Sequence, residues 1–238
     1  MYSFNSRVRY SEIDQRGRLS VPAVINYLQD CSTLQSEDLG KGVSYMKGQH
    51  RAWWLSSWQI VIDRRPVLGE PITVSTWPYD FRGIYGYRNF TIQDKTGAYL
   101  VRANSVWFLF DTREGRPVRV GEDDVRGYVS GEERLDMDYA ARKIPFKPGE
   151  DAGEPFPVGA HHIDTNHHVN NAAYVEMAMG EIPEDFEVGE VRADYKKAAV
   201  KGDIIVPYVE RGEKGYTVCL CGTDREPYAL VQLLAAKA

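Results

Sequence analysis

Residues 13–20 read Ile13-Asp14-Gln15-Arg16-Gly17-Arg18-Leu19-Ser20, and residues 163–170 read Ile163-Asp164-Thr165-Asn166-His167-His168-Val169-Asn170. Asp14 and Asp164 correspond at an offset of 164 − 14 = 150, and each copy leads into a helical pattern. In the first, Val21, Val24, Ile25, Leu28 and Cys31 recur at the spacing of one helix face. Ser20 is placed to cap that helix, Pro22 suits its first turn, and Asp38-Leu39-Gly40 should end it. In the second, Asn170 or Asn171 caps a shorter helix that runs to about Met179 before Gly180 and Pro183 stop it. That helix is apolar on most sides and is expected to be buried.

Strand patterns follow each helix. The first copy has them at 53–62, 71–77, 85–93 and 98–110, and the second at 191–195, 203–210, 215–221 and 228–235. Arg64-Arg65 before Gly69-Glu70 matches Lys196-Lys197 before Gly202-Asp203, and Asp94-Lys95-Thr96-Gly97 is a hairpin turn. One helix and a run of antiparallel strands, twice over, is an α+β pattern. It predicts a tandem (double) hotdog, each half a curved antiparallel sheet wrapped around a central helix. Joining the two sheets edge to edge would bury strand edges that otherwise invite aggregation. The expected domains are an N-terminal hotdog over 1–120, a polar linker over 121–157 with a short helix at Glu122–Val129, and a C-terminal hotdog over 158–238.

Composition excludes several classes. The chain has 238 residues, 43% hydrophobic and 26% charged, which is a globular balance. No apolar run reaches the roughly 18 residues of a membrane span. A net charge of −5 argues against nucleic acid as a partner. Cys31, Cys219 and Cys221 form no CxxC pair, and residues 1–7 show no charged-then-apolar export signal, so a cytoplasmic protein with free thiols is expected. There is no Gly-rich phosphate loop, and no cofactor is expected. Cys219 and Cys221 share one face of a strand, into the core.

Residues 161–171 hold His161, His162, His167 and His168; His50 is the remaining histidine. Three readings compete for this stretch. Metal binding lacks a second HxxxH or Cys group to complete a ligand set, so no metal is expected. A structural reading makes Asp164 and Asn166 Asx-turn residues and Asn170 a cap. The third is hydrolysis: a histidine gives and takes a proton, a carboxylate orients it or the water, and a helix N-terminus offers amides to an oxyanion. At the same register the first copy has Arg16 and Arg18 in place of Asn166 and His168 and retains Asp14 alone. Chemistry therefore belongs to the second copy, with binding or scaffolding in the first.

The stretch Asp164-x-Asn166-x-His168-Val169-Asn170-Asn171-x-x-Tyr174 resembles the active-site motif of the plant and bacterial acyl-ACP thioesterases. The resemblance extends to Trp53-Trp54-Leu55 through Ile60, Val74-Ser75-Thr76-Trp77-Pro78, Ala103-Asn104-Ser105-Val106-Trp107 and Arg116-Pro117-Val118-Arg119-Val120, nearly the whole chain. It implies a hydrolase that releases a fatty acid from acyl carrier protein. Asp164, Asn166 and His168 fall on the catalytic positions: His168 as base and then acid, Asn166 orienting water or the carbonyl, Asp164 positioning and polarising that network or acting as base itself. It also implies that the first domain holds the acyl chain, with Val24, Ile25, Leu28, Trp53, Trp54, Trp58 and Trp107 as candidate lining and Asn171 and Tyr174 as further substrate contacts. For each lining residue, ordinary core packing is the competing role. One position departs from the family: a glutamate is expected after the basic pair, and Ala198-Ala199 follow Lys196-Lys197 here. Glu176 and Glu181, on or just after the second helix, are candidate substitutes, with a solvent-facing position the competing role for Glu176. Arg64, Arg65, Lys196 and Lys197 are candidates to dock an acidic carrier, and a homodimer is compatible with the fold. The alternatives are an acyl-CoA thioesterase and a non-catalytic acyl-binding double hotdog.

Overall fold

A computed structural model of the chain describes residues 1–128 and 131–236. It separates into two compact units, Met1–Ser56 with Ile62–Tyr139, and Ser57–Val61 with Ala140–Ala238. The boundary at Tyr139 lies inside the stretch expected to be a linker.

In the first unit, β1 (Tyr2–Arg7) precedes α1 (Val21–Asp38) and a short α2 (Val43–Gly48). Strands β2 (Arg51–Ile62), β3 (Pro71–Arg82), β4 (Tyr85–Gln93), β5 (Tyr99–Asp111) and the two-residue β6 (Arg116–Pro117) follow, then α3 (Glu122–Val125). The pairing is antiparallel, β1 with β3, β3 with β4 and β4 with β5. Helix α1 begins where Ser20 Oγ accepts the Ala23 N–H at 3.3 Å, and it lays Val24, Ile25 and Leu28, each 0% exposed, against the sheet. Each such side chain contributes about 2 kcal/mol on burial. Strand β3 runs five residues past the expected Trp77. Pro78 lacks an N–H, but a register shift between Pro78 and Asp80 lets the ladder resume beyond it. Helix α2 was not anticipated, because six residues are too few to display a period. The helix expected over Glu122–Val129 ends at Val125, with Gly127 at φ +88 just beyond; Val129 lies outside the described residues.

In the second unit, β7 (Phe156–Pro157) precedes α4 (Asn171–Gly180), then β8 (Val188–Tyr195), β9 (Ile204–Gly212), β10 (Gly215–Cys221) and β11 (Pro227–Ala235). The ladder runs β8, β11, β10, β9, β7, with Ser57–Val61 paired to β8. Asn170 Oδ1 caps α4 by accepting the Ala172 N–H at 2.8 Å. Val175 and Ala178, both 0% exposed, lie on the buried side of α4.

The residues expected to be a linker are fastened at several points. In the first unit Trp77 Nε1 donates to Glu133 O at 2.8 Å and Leu135 N to Asn89 Oδ1 at 3.0 Å. In the second, Ile144 and Phe146 cover Cys219, Cys221, Val206 and Leu230, and Gly153 N donates to Pro207 O at 2.8 Å. The two cysteines therefore face a small second core under this strap, on the opposite side of β10 from Val218 and Leu220.

The duplication holds bond by bond. Asp14 N to Arg18 O and Asp164 N to His168 O are both 2.8 Å; Ser20 N to Glu12 O is 2.9 Å and Asn170 N to His162 O is 2.8 Å. Later in each unit Gly69 N donates to Val8 O and Gly202 N to Val158 O, with both glycines at positive φ.

Candidate active site

The candidate loop runs from Ile163 to Val169, which bridge one another and close its base. Its organiser is Asp164, whose Oδ1 accepts the backbone N–H of Asn166 at 2.8 Å and of His168 at 3.3 Å. The carboxylate thus contacts the main chain of its two expected partners. Asn166 is exposed and His168 half-buried. Asp14 does the same in the first unit, accepting from Arg16 N at 2.9 Å and Arg18 N at 3.0 Å. The Asx loop is therefore a property of the repeated fold, and the structural reading of Asp164 accounts for its position. What differs is the side chains carried on the loop and the residue opposite it.

That opposite residue is informative. In the first unit Arg65 Nη1 lies 2.6 Å from Asp14 Oδ2, with the two side chains 12% and 17% exposed. Burial pushes the Asp14 carboxyl up, but the Arg18 amide and the Arg65 guanidinium outweigh it and hold the group below the usual carboxylate range. The hydrogen bonds of Asp63 N to Leu100 O and of Lys196 N to Tyr228 O align Arg65 with Ala198, at 196 − 63 = 133 and 198 − 65 = 133. Ala198 brings no cation to Asp164. The first loop is locked by a salt bridge and the second lacks that lock.

His167 occupies φ +63, where the first copy has Gly17 at φ +72. A non-glycine residue there costs about 1 kcal/mol, so the loop holds modest backbone strain beside His168. His162 lies just outside the loop, and its Nδ1 accepts the Gly159 N–H at 3.0 Å, which requires a neutral acceptor nitrogen. Burial, then the neighbouring His161, pushes its pKa down. Among the described residues no three His, Cys, Asp or Glu side chains gather as a metal-ligand group.

The start of α4 offers fewer open amides than expected. The Ala172 N–H goes to Asn170 Oδ1, and those of Ala173 and Tyr174 go to Asn170 O at 3.0 and 3.4 Å. Two tyrosines pin this end. Tyr174 Oη accepts the Ala199 N–H at 2.8 Å, and Tyr195 Oη donates to Asn171 O at 2.9 Å. Burial pushes Tyr174 up to about 12 and Tyr195 well above its ordinary value. Tyr195 escaped the sequence reading, because nothing in the linear order of a β8 residue links it to Asn171. Glu176 is exposed on α4, and Glu181 caps its far end, ten residues or about 15 Å along the axis from Asn171. Glu181 is therefore far from the loop end of α4, whereas Glu176 exerts a charge effect on His162 beside the loop.

The expected lining residues divide. Trp53 shares its side of the first sheet with Phe81 and Gly86: a Cβ on Gly86 would lie 3.0 Å from Phe81 and 3.3 Å from Trp53. Trp107 pairs with Gly86 and faces the same way. Trp54 points to the opposite face, stacked on Phe110 at 3.8 Å between ring centres, because successive strand residues alternate. Trp58 is 2% exposed in the segment grouped with the second unit. A cavity of about 340 Å³ between β1 and α1, lined by Phe4, Ser6, Arg9, Tyr27 and Asp30, contains none of the expected site residues. The expected basic docking pairs are largely committed: Arg64 to Glu70, Arg65 to Asp14 and Lys196 to Asp194.

Two units, each a helix against an antiparallel sheet and related by a repeat of hydrogen bonds, define a double-hotdog protein. The family described as Acyl-ACP thioesterase N-terminal domain matches residues 1–128, and Acyl-ACP thioesterase C-terminal domain matches residues 147–220, so the chain belongs to the acyl-ACP thioesterase family. Among relatives, an acyl-[acyl-carrier-protein] hydrolase of Cuphea viscosissima is 24% identical over 87% of this chain and 54% of its own length. The oleoyl-acyl carrier protein thioesterase 1 of Arabidopsis thaliana is 24% identical over 83% of this chain and 60% of its own. The chain thus spans about half the length of the curated relatives it matches. Among solved structures, an acyl-ACP thioesterase from Bacteroides thetaiotaomicron superposes with a TM-score of 0.86 at 21% identity, covering 98% of this chain and 96% of that one. The 12:0-ACP thioesterase from Umbellularia californica gives 0.84 at 19% identity, again covering 98% and 96%. These likenesses establish the fold. No helix among the described residues is long and apolar enough to cross a membrane.

Proposed function

We propose that the protein hydrolyses the thioester of a fatty acyl chain on acyl carrier protein, releasing free acid and carrier thiol. The observation that carries this reading is the contrast between the two loops: Asp14 is locked by Arg65 among arginines, whereas Asp164 stands opposite Ala198 and carries Asn166 and His168. His168 takes a proton from water and returns it to the leaving thiolate, Asn166 orients the water or the carbonyl, and Asp164 fixes the loop and supplies negative charge beside the forming imidazolium. The Asn171 end of α4 faces the developing oxyanion. The first unit holds the acyl chain along the side of its sheet that carries Trp53 and Trp107. The carrier's acidic surface docks on Lys197 and Lys201 of the β8–β9 loop, which Val169 N to Ala199 O ties to the site loop at 2.9 Å. The three buried free thiols suit a reducing compartment such as the cytoplasm.

The test is thiol release from a panel of acyl-carrier and acyl-CoA substrates. The expected result is faster turnover on the carrier, and a loss of about 10²- to 10⁴-fold in His168→Ala. Turnover on CoA alone reassigns the substrate. An unchanged rate in a folded His168→Ala removes the histidine from the chemistry.

A further inference from the structure

The cavity between β1 and α1 lies outside the candidate site. Phe4 and Ser6 of β1 wall it on one side, Tyr27, Asp30, Thr33 and Leu34 of α1 on the other, with Arg9 in the lining as well. Its volume of about 340 Å³ suits a small molecule. One wall is aromatic and held in place. Tyr27 is 4% exposed, and its ring stacks on Phe4 with centres 6.2 Å apart and planes 24° from parallel. Tyr27 Oη donates to Glu12 Oε2 at 2.8 Å and lies 3.1 Å from Ser6 Oγ. Arg9 Nε donates to Glu12 Oε1 at 2.7 Å, so the cation in the lining already has its carboxylate.

Asp30 is placed differently. Among the described residues its carboxylate takes part in no hydrogen bond or ion pair. Burial against the wall pushes its pKa up, with Arg9 opposing and Glu12 adding to the rise. Leu34 stands four residues on, about 6 Å further along α1, and is 42% exposed. An aromatic wall, a carboxylate and uncovered apolar surface therefore meet within one helical turn.

The fold does not demand this combination. Arg9 N donates to Glu12 Oε2 at 2.8 Å and Gly159 N to His162 Nδ1 at 3.0 Å, the same turn in both units at the offset of 150. At that offset Met177 and Gly180 stand where Tyr27 and Asp30 do, since 177 − 27 = 180 − 30 = 150. The aromatic wall and its carboxylate belong to the first unit alone.

We propose that this cavity is a binding site for a small organic cation, a primary or quaternary ammonium carrying a compact apolar body. The ammonium pairs with Asp30 beside the rings of Phe4 and Tyr27, where attraction to the ring faces adds to the ion pair, and the apolar body covers Leu34. An anion of the same shape meets Asp30 and an Arg9 neutralised by Glu12. A neutral molecule of that shape gains the apolar contact only. The site is separate from the proposed thioesterase chemistry and does not rest on it.

The test is isothermal titration calorimetry of the intact protein with phenethylammonium, phenethyl alcohol and hydrocinnamate, which share one apolar body and differ in charge. Phenethylammonium is expected to bind saturably and about 10-fold more tightly than the alcohol, with hydrocinnamate weakest. Asp30→Asn, a substitution of nearly equal shape on the outside of a helix, should bring the ammonium down to the affinity of the alcohol and leave the alcohol unchanged. Leu34→Ser should weaken both. An unaltered protein that fails to bind phenethylammonium, or that binds the alcohol or hydrocinnamate as tightly, overturns the site. So does a folded Asp30→Asn whose affinity for the ammonium is unchanged, because the ligand is then held elsewhere. The comparison of the three ligands needs no variant, so a misfolded substitution does not leave the matter open.

Discussion

Asp164→Asn separates loop closure from chemistry. The carboxylate engages the loop through one oxygen, which accepts the Asn166 N–H at 2.8 Å and the His168 N–H at 3.3 Å. An asparagine amide oxygen can take both amides in the same place. What it loses is charge assistance, about 1 kcal/mol for the shorter bond and less for the longer one. The expected cost is therefore about 1–2 kcal/mol, a melting temperature lower by roughly 2–8 °C in a chain of this size. Unlike Asp14, Asp164 faces no Arg65 equivalent, so no guanidinium is left unpaired opposite it. The rate is expected to respond quite differently. If the negative charge supports the imidazolium of His168, turnover falls by about 10²-fold or more. Circular dichroism melts and thiol-release kinetics on the same preparation decide the matter. A folded variant whose kcat lies within about threefold of the parent would refute a catalytic Asp164 and leave it a turn residue.

Two further outcomes are expected. Asp14→Asn takes the carboxylate away from Arg65, which keeps its bond to Leu19 O, and should cost about 2–3 kcal/mol at neutral pH by urea denaturation. The folded Asp14 carboxyl titrates below its unfolded value, so its contribution is complete above about pH 4 and fades as pH falls through the folded pKa. The gap between parent and variant should therefore narrow in acid, and a gap independent of pH contradicts the salt-bridge account. Cys219 and Cys221 lie with sulfurs 3.1 Å apart and are 1% and 0% exposed; their mutual contact raises the Cys219 pKa and lowers that of Cys221. Native protein should therefore take up no iodoacetamide, and denatured protein should show three adducts by mass, Cys31 included. An adduct on native Cys221 would mean that the strap over the second core opens readily.

Local signals were legible wherever they depend on neighbours in sequence. Ser20 and Asn170 announce helix starts because a side-chain oxygen two or three residues ahead of an amide can cap it. The strand limits at Tyr85–Gln93 and Gly215–Cys221 were read directly, since turn residues bracket both. Pro78 misled, because a missing N–H reads as a stop and the bulge that rescues the ladder depends on the partner strand. The polar run after residue 121 read as a linker for a similar reason. Its anchors, Asn89 and Pro207, are distant in sequence.

The candidate site divides in the same way. The repeat of Asp14 at Asp164 and the replacement of arginines by Asn166 and His168 are facts of sequence, and the proposed assignment of chemistry to the second half starts from them. The strand alternation that turns Trp54 away from Trp53 was also present in sequence, but choosing which of the two faces the helix required packing. The tertiary structure alone decided that Ala198 stands where Arg65 locks the other copy and that Tyr195 pins Asn171. Each of these depends on contacts between residues far apart in the chain, and such contacts leave no periodicity or spacing to read.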